Sequence, residues 1–576
     1  MKKMILIAIL FVSAMTFAQN YQGVQNCQMC HSVPLRDFPG LPAWQSTLHA
    51  KIHEVPTTSN VKGDLTQTVS MGSAYGNATA TFRSDANGFY VILNPVGGTP
   101  VEHKIVYTYG GGWKQRFLVK IENSYYMPPV QWNLKGYLDN STGSWAAYNP
   151  QNWFTSTGAL KPLDNAFRKK SWDKNCAGCH VVPGNKTNTV QTVVTGSDTA
   201  WVYGWANSSS TANIVVGCES CHGHPSAMAG AGHVNNLKAL TYDRKLEVCG
   251  QCHFRGFSSN RTYEYPMKES TMETYQPGND LSEYIQIQPG LWPDGVTSKQ
   301  HHQQWNDYKY SKHFNPSMGM TCVTCHDPHQ NTANKHQLKE DFNALTAGVG
   351  CAKCHGDKIA ATNGINNHTK HPQAISACAN CHMTQNAVTS RAYDISNHSF
   401  NVIRPNATLN FSASTGGMIN TCAVACHRNG QGTRGAGPSF GVTDASLTTW
   451  NETTDLALAD TLWRYYQVMY GVVGIEETGN EMPSSFALEQ NYPNPFNPST
   501  TIQFSVAARG DIRVEIYAID GTLVEILVNK ELEAGVYKAQ WNGRTAYGSD
   551  VSSGIYIYRL VNNNNPIVSK KMVLMR

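Results

Sequence analysis

The sequence predicts mainly short α-helices and loops wound round stacked prosthetic groups, with a small antiparallel β insert and a separate carboxy-terminal β-sandwich of immunoglobulin-like type. Three observations predict this class. All 16 cysteines fall into eight pairs, and histidine follows each pair at once. Some 145 residues after the first pair hold no cysteine and alternate apolar with polar residues around glycine turns. Beyond residue 490 cysteine is absent and the alternation returns to the end of the chain.

The chain opens with Lys2 and Lys3, an apolar run from Met4 to Val12, and small residues leading to a cut after Ala18. Residues 1–18 therefore read as an export signal, because the run is too short to span a bilayer and polar sequence follows it. No later segment reaches the length of a membrane helix, so the expected mature chain has no transmembrane segment. The formal charge of +5 falls to about +3 once the two lysines leave, which excludes a strongly basic nucleic-acid binder.

Sixteen cysteines in an exported protein would ordinarily mean disulfides. The spacing points elsewhere. The pairs are Cys27/Cys30, Cys176/Cys179, Cys218/Cys221, Cys249/Cys252, Cys322/Cys325, Cys351/Cys354, Cys378/Cys381 and Cys422/Cys426. Their adjacent histidines are His31, His180, His222, His253, His326, His355, His382 and His427. Two thiols at this spacing each add to one vinyl group of a haem, and the histidine beside the second thiol then ligates the iron. A zinc site would use cysteine pairs in twos and would not require histidine after every pair. The reading is eight covalent haems c, the last held by a motif one residue wider than the rest.

Of 21 histidines, 13 remain for the opposite side of the irons, so all eight distal ligands could be histidine. The candidates lying nearest the motifs are His49, His53, His233, His313, His329, His368, His371 and His398. His329 cannot easily reach round the macrocycle that His326 ligates, three residues earlier, so a neighbouring haem is its expected target. The propionates of eight haems would add roughly −16, partly offset at the irons, and turn the holoprotein acidic. Such a surface favours basic partners or positively charged acceptors.

The first haem-binding segment covers residues 19–61, and the β-rich insert residues 62–150. The insert reads as structural, with shielding of the first haem or partner docking as alternatives. Residues 151–470 form the multihaem domain, in which aliphatic residues are too few for an ordinary core. Its last part, 448–470, has Leu456, Ala459, Leu462, Trp463, Tyr466 and Met469 at helical spacing. A linker rich in Gly, Glu, Pro and Ser follows at 471–490. Residues 491–576 then show short alternating strands separated by Asp520-Gly521, Ala534-Gly535 and Asn542-Gly543.

The stretches NYPNPFNPSTTI at 491, IYAIDG at 516, LEAGVYKAQWNG at 532, SSGIYIYRL at 552 and the closing KKMVLMR resemble the type A carboxy-terminal sorting domain of the type IX secretion system. That resemblance implies handling by the type IX machinery, release from the cell or attachment to its surface, and no catalytic role for the tail. The haem segment resembles multihaem c-type cytochromes of the cytochrome c-554 and hydroxylamine oxidoreductase group. The matching stretches are WQSTLHA at 44, WDKNCAGCH at 172, GCESCHGHPSAMAGAGH at 217, CGQCHFRG at 249 and SKHFNPSMGMTCVTCHDPH at 311. It implies a multihaem cytochrome c fold and makes His49, His233, His313 and His329 the stronger distal ligands.

Two departures weigh against an enzyme of that group. Nitrite reductases there replace one motif histidine by lysine, and all eight positions here are histidine. Hydroxylamine enzymes cross-link a tyrosine to one haem, and no tyrosine stands out among the 27 in this sequence. The expected function is electron transfer outside the cell, with redox proteins or an extracellular acceptor or donor as partners and no assigned catalytic residue. The alternatives are an oxidoreductase acting on a small nitrogen or sulfur species at one open haem, and a homo-oligomer or conducting filament.

Overall fold

The computed structural model describes Val24, Cys27 and residues 31–34, 39–134, 143–181, 191–195, 198–202, 215–223, 236–389, 395–411, 417–427, 452–470, 476–477, 483–543 and 551–576. Residues 1–18, Cys30, His233 and most of the expected linker, all singled out by the sequence, lie outside these.

The expectation of a mainly helical fold with a small insert is overturned. Strand residues outnumber helical ones, and between the second and last motifs no described helix exceeds the nine residues of Tyr242–Gly250. The insert is a nine-stranded sheet made of β1 (His53–Glu54), β2 (Val69–Ser70), β3 (Thr79–Asp85), β4 (Gly88–Asn94), β5 (Val101–Gly110), β6 (Lys114–Ile121), β7 (Ser124–Tyr126), β8 (Val130–Asn133) and β9 (Ser144–Ala147). Its order is β2-β3-β4-β5-β6-β8-β9, with β1 on β5 and β7 on β6. Short ribbons such as 191–195 with 198–202, and Gly256–Ser258 with Ile285–Ile287, tie the haem segment together. The reason is local. Each cysteine motif needs about one helical turn, and the chain between motifs is rich in turn formers that stop a helix there.

Alternation decides what the sheet does. On β6, Phe117 and Val119 join a core with Val69, Ala80, Val91, Leu93, Ile105 and Val130. Leu118 points the other way, into a second core with Trp172, Ala177, Val181, Trp201, Tyr263, Tyr265 and Met267. Lys114 and Arg116 share the face of Leu118, and Arg116 pairs across the ladder with Tyr109 of β5. One face of the sheet is thus a wall of the haem segment.

The helix expected at 448–470 spans Glu452–Tyr470 and buries Leu458, Ala459 and Leu462; Leu458 and Leu462 pack on Ala423 of the last motif. The carboxy-terminal strands are β10 (Glu476–Glu477), β11 (Ala487–Leu488), β12 (Thr500–Val506), β13 (Gly510–Ala518), β14 (Leu523–Leu532), β15 (Gly535–Trp541), β16 (Gly554–Asn562) and β17 (Asn565–Leu574). They form two four-stranded sheets, β10-β15-β12-β11 and β14-β13-β16-β17. Strict alternation of buried and half-buried residues along β12 sends Ile502, Phe504 and Val506 into a core shared with Val514, Trp541, Tyr558 and Met572.

Candidate haem sites

The motifs fold as single turns. Ala177–His180, Cys218–His222, Cys322–Cys325 and Cys378–His382 are helical, which puts thiols three residues apart on one side. Thr321 and Thr324 close a capping box on the fifth motif, and Ser171 accepts from Lys174 N just before the second. A Cβ on Gly178 would lie 2.2 Å from the Tyr265 ring, so the second motif needs glycine there for close packing. The last motif solves its extra residue by winding Ala423–His427 as a π-helix, whose longer turn absorbs one residue and carries Cys426. The described cysteines form no disulfide.

Thiols and histidines of the first five motifs line a chamber of about 3090 Å³, far beyond the roughly 300–1,000 Å³ of an ordinary ligand pocket. The expected cysteines do not all meet there. Cys351 of the sixth motif reaches the lining, whereas Cys354, Cys378, Cys381, Cys422 and Cys426 are not part of it, nor are His355, His382 and His427. The packing of the last motif gives the reason. Cys422 and Ala423 lie against Leu458 and Leu462, and Val424 lies with Trp292 and Ile403, so this turn is held in apolar clusters of its own. Cys426 is half-buried in the same turn. Burial pushes the Cys422 thiol up to about 12, with Cys381 and Cys426 beside it.

Seven motif histidines each face a second histidine, with ring centres 6.1 Å apart for His53/His180, His313/His355 and His368/His382. The separation is 6.2 Å for His222/His329, 6.3 Å for His326/His398 and His371/His427, and 6.4 Å for His49/His253. A metal bonded at about 2 Å to one nitrogen of each of two imidazoles, with ring centres roughly 1 Å beyond, separates those centres by about 6 Å. Six of the pairs fit iron held between imidazoles; at His53/His180 the Tyr109 phenol takes the Nε2 side of His180 instead. His326 and His329 belong to different pairs, as the chain between them requires.

The second ring nitrogens are engaged as ligation demands. His326 Nδ1 donates to His336 O at 2.9 Å, His382 Nδ1 to Phe400 O at 2.8 Å, His371 Nδ1 to Thr369 O at 2.6 Å and His398 Nδ1 to Ser396 O at 3.0 Å. Such bonds fix the tautomer and leave Nε2 facing the metal. Burial pushes His49 down to about 4 and His398 to about 3, which keeps both imidazoles neutral and basic toward a metal.

The His180 site is built differently. The Tyr109 phenol lies 2.9 Å from His180 Nε2, the nitrogen that the motif histidines His326 and His382 leave toward their partners. Tyr109 lines the chamber and stacks on His53 at 5.1 Å, whereas His53 is not among the lining residues. Lys114, Arg116, Arg255, Lys299, His301 and His302 line the same chamber, with Glu264 the acid beside them. Arg116 is fixed by Gln131 at 2.7 Å and by the Tyr148 ring beneath it, and Lys114 by Thr389 O at 2.6 Å. His301 and His302 contact each other through Nδ1, and confinement in the chamber together with the nearby Arg255 and Lys114 holds both below the usual histidine range. Burial likewise raises Tyr109 far above the usual phenol range, against the pull of Arg116.

Sequence reasoning missed this cluster. The available signals were the alternation Lys114, Arg116, Leu118 on β6 and the doubled histidine at 301–302. Of the predicted residues, His31 lines the chamber beside Cys27.

The cysteine motifs and the comparisons support a multihaem c-type cytochrome with a carboxy-terminal secretion tail. Residues 490–575 match the secretion system C-terminal sorting domain, and residues 314–360 match the doubled CXXCH motif. Dissimilatory sulfite reductase MccA of Wolinella succinogenes is 26% identical over 184 residues; the match covers 29% of this chain and 22% of that protein's length. Among solved structures, dimeric latent PorU of Porphyromonas gingivalis is 23% identical, with 17% of this chain and 10% of its own covered at a TM-score of 0.15. PorZ of the same organism is 23% identical, with 17% and 13% covered at 0.12. Neither of these two likenesses bears on the whole chain. Among the described residues no helix is long and apolar enough to cross a membrane.

Proposed function

We propose that this chain is an exported octahaem cytochrome that moves electrons outside the cell or at its surface, its signal and sorting tail serving passage through the type IX machinery. Redox proteins or an extracellular acceptor or donor are its partners. The histidine pairs carry the reading. His31, His180, His222, His253, His326, His355, His382 and His427 serve as proximal ligands. His329, His49, His398, His313, His368 and His371 stand opposite the third to eighth of these as paired above. Bound haem supplies one-electron chemistry at potentials set by ligands and burial. The cysteines would tether it, Cys422 and Cys426 across the wider last turn, and Nδ1 hydrogen bonds hold His326, His371, His382 and His398 in place.

Haem counting by intact mass, together with the spin state of the oxidised protein, tests this reading. Eight haems with low-spin iron at the paired sites support it; two or three haems would sink it. Particle size after removal of the tail separates a monomer from a filament subunit.

A second reading is favoured by the Tyr109 site. A phenol on the coordinating side of His180, ringed by Lys114, Arg116, Arg255 and two neutral imidazoles, suits a small oxyanion. Tyr109 and the imidazole N–H groups would donate hydrogen bonds while the cations hold the charge. Reduction of such an anion, sulfite being the one named for the relative above, would make the chain an oxidoreductase. A sulfite-dependent spectral change abolished by Arg255→Gln supports it, and indifference to sulfite and nitrite removes it.

A further inference from the structure

Two motif histidines are braced by residues beyond their own motif. His326 Nδ1 donates to the carbonyl of His336 at 2.9 Å, ten residues on, and His382 Nδ1 donates to that of Phe400 at 2.8 Å, eighteen residues on. Both acceptors have left-handed backbone, with φ of 61° at His336 and 59° at Phe400. A residue with a Cβ is strained there, so the conformation persists only where its surroundings fix it. The distal imidazoles differ. His371 and His398 use the carbonyls of Thr369 and Ser396, two residues away, and neither of those residues is left-handed.

Ring contacts fix both strained residues. The His336 ring stacks on Trp113, in the loop between β5 and β6, with ring centres 5.4 Å apart and planes 17° from parallel. Gln337, also left-handed at 57°, donates from its side chain to Asp327 O at 2.9 Å, and its carbonyl accepts from Asp327 N at 2.8 Å. Trp113 O in turn accepts from Leu134 N at 2.8 Å. The Phe400 ring meets the His313 ring nearly at a right angle, with centres 4.7 Å apart. His313 belongs to the sixth pair, whereas the Phe400 carbonyl serves the seventh.

A carbonyl on Nδ1 makes an imidazole a stronger electron donor, and a stronger donor favours ferric over ferrous iron. Resting on the haem reading above, we propose that His336 and Phe400 are positioning residues that lower the reduction potentials of the fifth and seventh sites. Each aims its carbonyl by a left-handed backbone that a docked ring maintains. The strand-rich insert thereby reaches the fifth site through Trp113 and His336, and does more than wall the chamber. Phe400 makes a similar link between two sites, because the ring that keeps its carbonyl on His382 rests on His313.

Redox titration of the intact holoprotein, followed by electron paramagnetic resonance, tests this. Valine is strained in a left-handed backbone, whereas glycine adopts it freely. His336→Val and Phe400→Val are each expected to raise the ferrous-to-ferric ratio of a single centre about tenfold at a fixed applied potential, a different centre in each variant. The corresponding glycine variants shift it less. Trp113→Ala, which leaves both carbonyls in the chain, moves the same centre as His336→Val. Glycine shifts as large as those of valine, or a Trp113→Ala protein with every potential unchanged, would overturn the proposal. Should the valine variants fail to take up haem, Trp113→Ala alone decides. A wild-type protein without haem would sink the haem reading itself, a distinguishable failure.

Discussion

The carboxy-terminal sandwich and the haem segment bury their interiors in opposite ways. In the sandwich, six strands of 7 to 10 residues send alternate side chains into one continuous core, with Ile502, Phe504, Val514, Ile516 and Tyr558 fully buried. In the haem segment the apolar side chains are gathered in small separate clusters around a chamber of about 3090 Å³. Well-packed interiors leave no such void among side chains alone. The first region carries its core in its sequence; the second borrows it from a cofactor, and its stability is inseparable from binding.

The largest test of this contrast is to withhold the cofactor. With the motif cysteines replaced by serine, the segment from Trp44 to His427 is expected to be cut readily by protease while residues 490–576 stay resistant. Equal resistance in both halves would break the comparison. Next in size is the core of the tail: Phe504→Ala should cost about 3–5 kcal/mol of tail stability in denaturant and leave the haem absorption bands untouched. A smaller loss, about 1–3 kcal/mol, is expected from Gly178→Ala, because the new Cβ meets the Tyr265 ring and must push it aside. Its signature would be a shift confined to the His180 site.

Buried acids sharpen the contrast further. Burial raises Asp307 to about 7, against hydrogen bonds from Ser298 and His398 N. Between the unfolded value of about 4 and pH 7, the folded chain keeps a proton that the unfolded chain has lost. Stability of the haem segment therefore falls as pH rises through that window, by a few kcal/mol at most, and Asp307→Asn should flatten the fall. Glu515 in the tail behaves in the opposite sense. Burial pushes it up, but hydrogen bonds from Arg559 and Tyr517 outweigh that and hold it below the usual carboxylate range. The stability it contributes is present above the unfolded carboxylate pKa and lost as pH falls through the lowered one. Opposite pH slopes of the two halves, read by separate probes, check both signs.

What the sequence revealed follows the same division. Cysteine spacing exposed the haem motifs because covalent attachment tolerates little variation, and long alternating strands exposed the tail. That spacing did not reveal which motifs share the chamber: the wider Cys422/Cys426 pair still read as one more haem motif, and its packing against the helix at 452–470 and Trp292 is what holds it in clusters of its own. The mainly helical expectation failed because the ribbons of the haem segment are two to five residues long, too short for a period to register. Tyr109, Lys114 and Arg116 escaped notice because they lie on strands whose apolar faces read as a structural insert; only the pairing of β5 with β6 shows them facing His180. Among histidine partners drawn from far along the chain, His398 for His326 had position near a motif as its signal, whereas His49 for His253 was also marked by the family resemblance.

The most direct test of the account is an electron paramagnetic resonance spectrum of the oxidised holoprotein, taken with and without sulfite and calibrated to haem content. The account predicts eight haems, low-spin iron at the paired imidazoles, and any response to sulfite confined to one centre that a Tyr109→Phe substitution alters. High-spin iron spread over several centres would contradict it, because the paired histidines would then not be ligands.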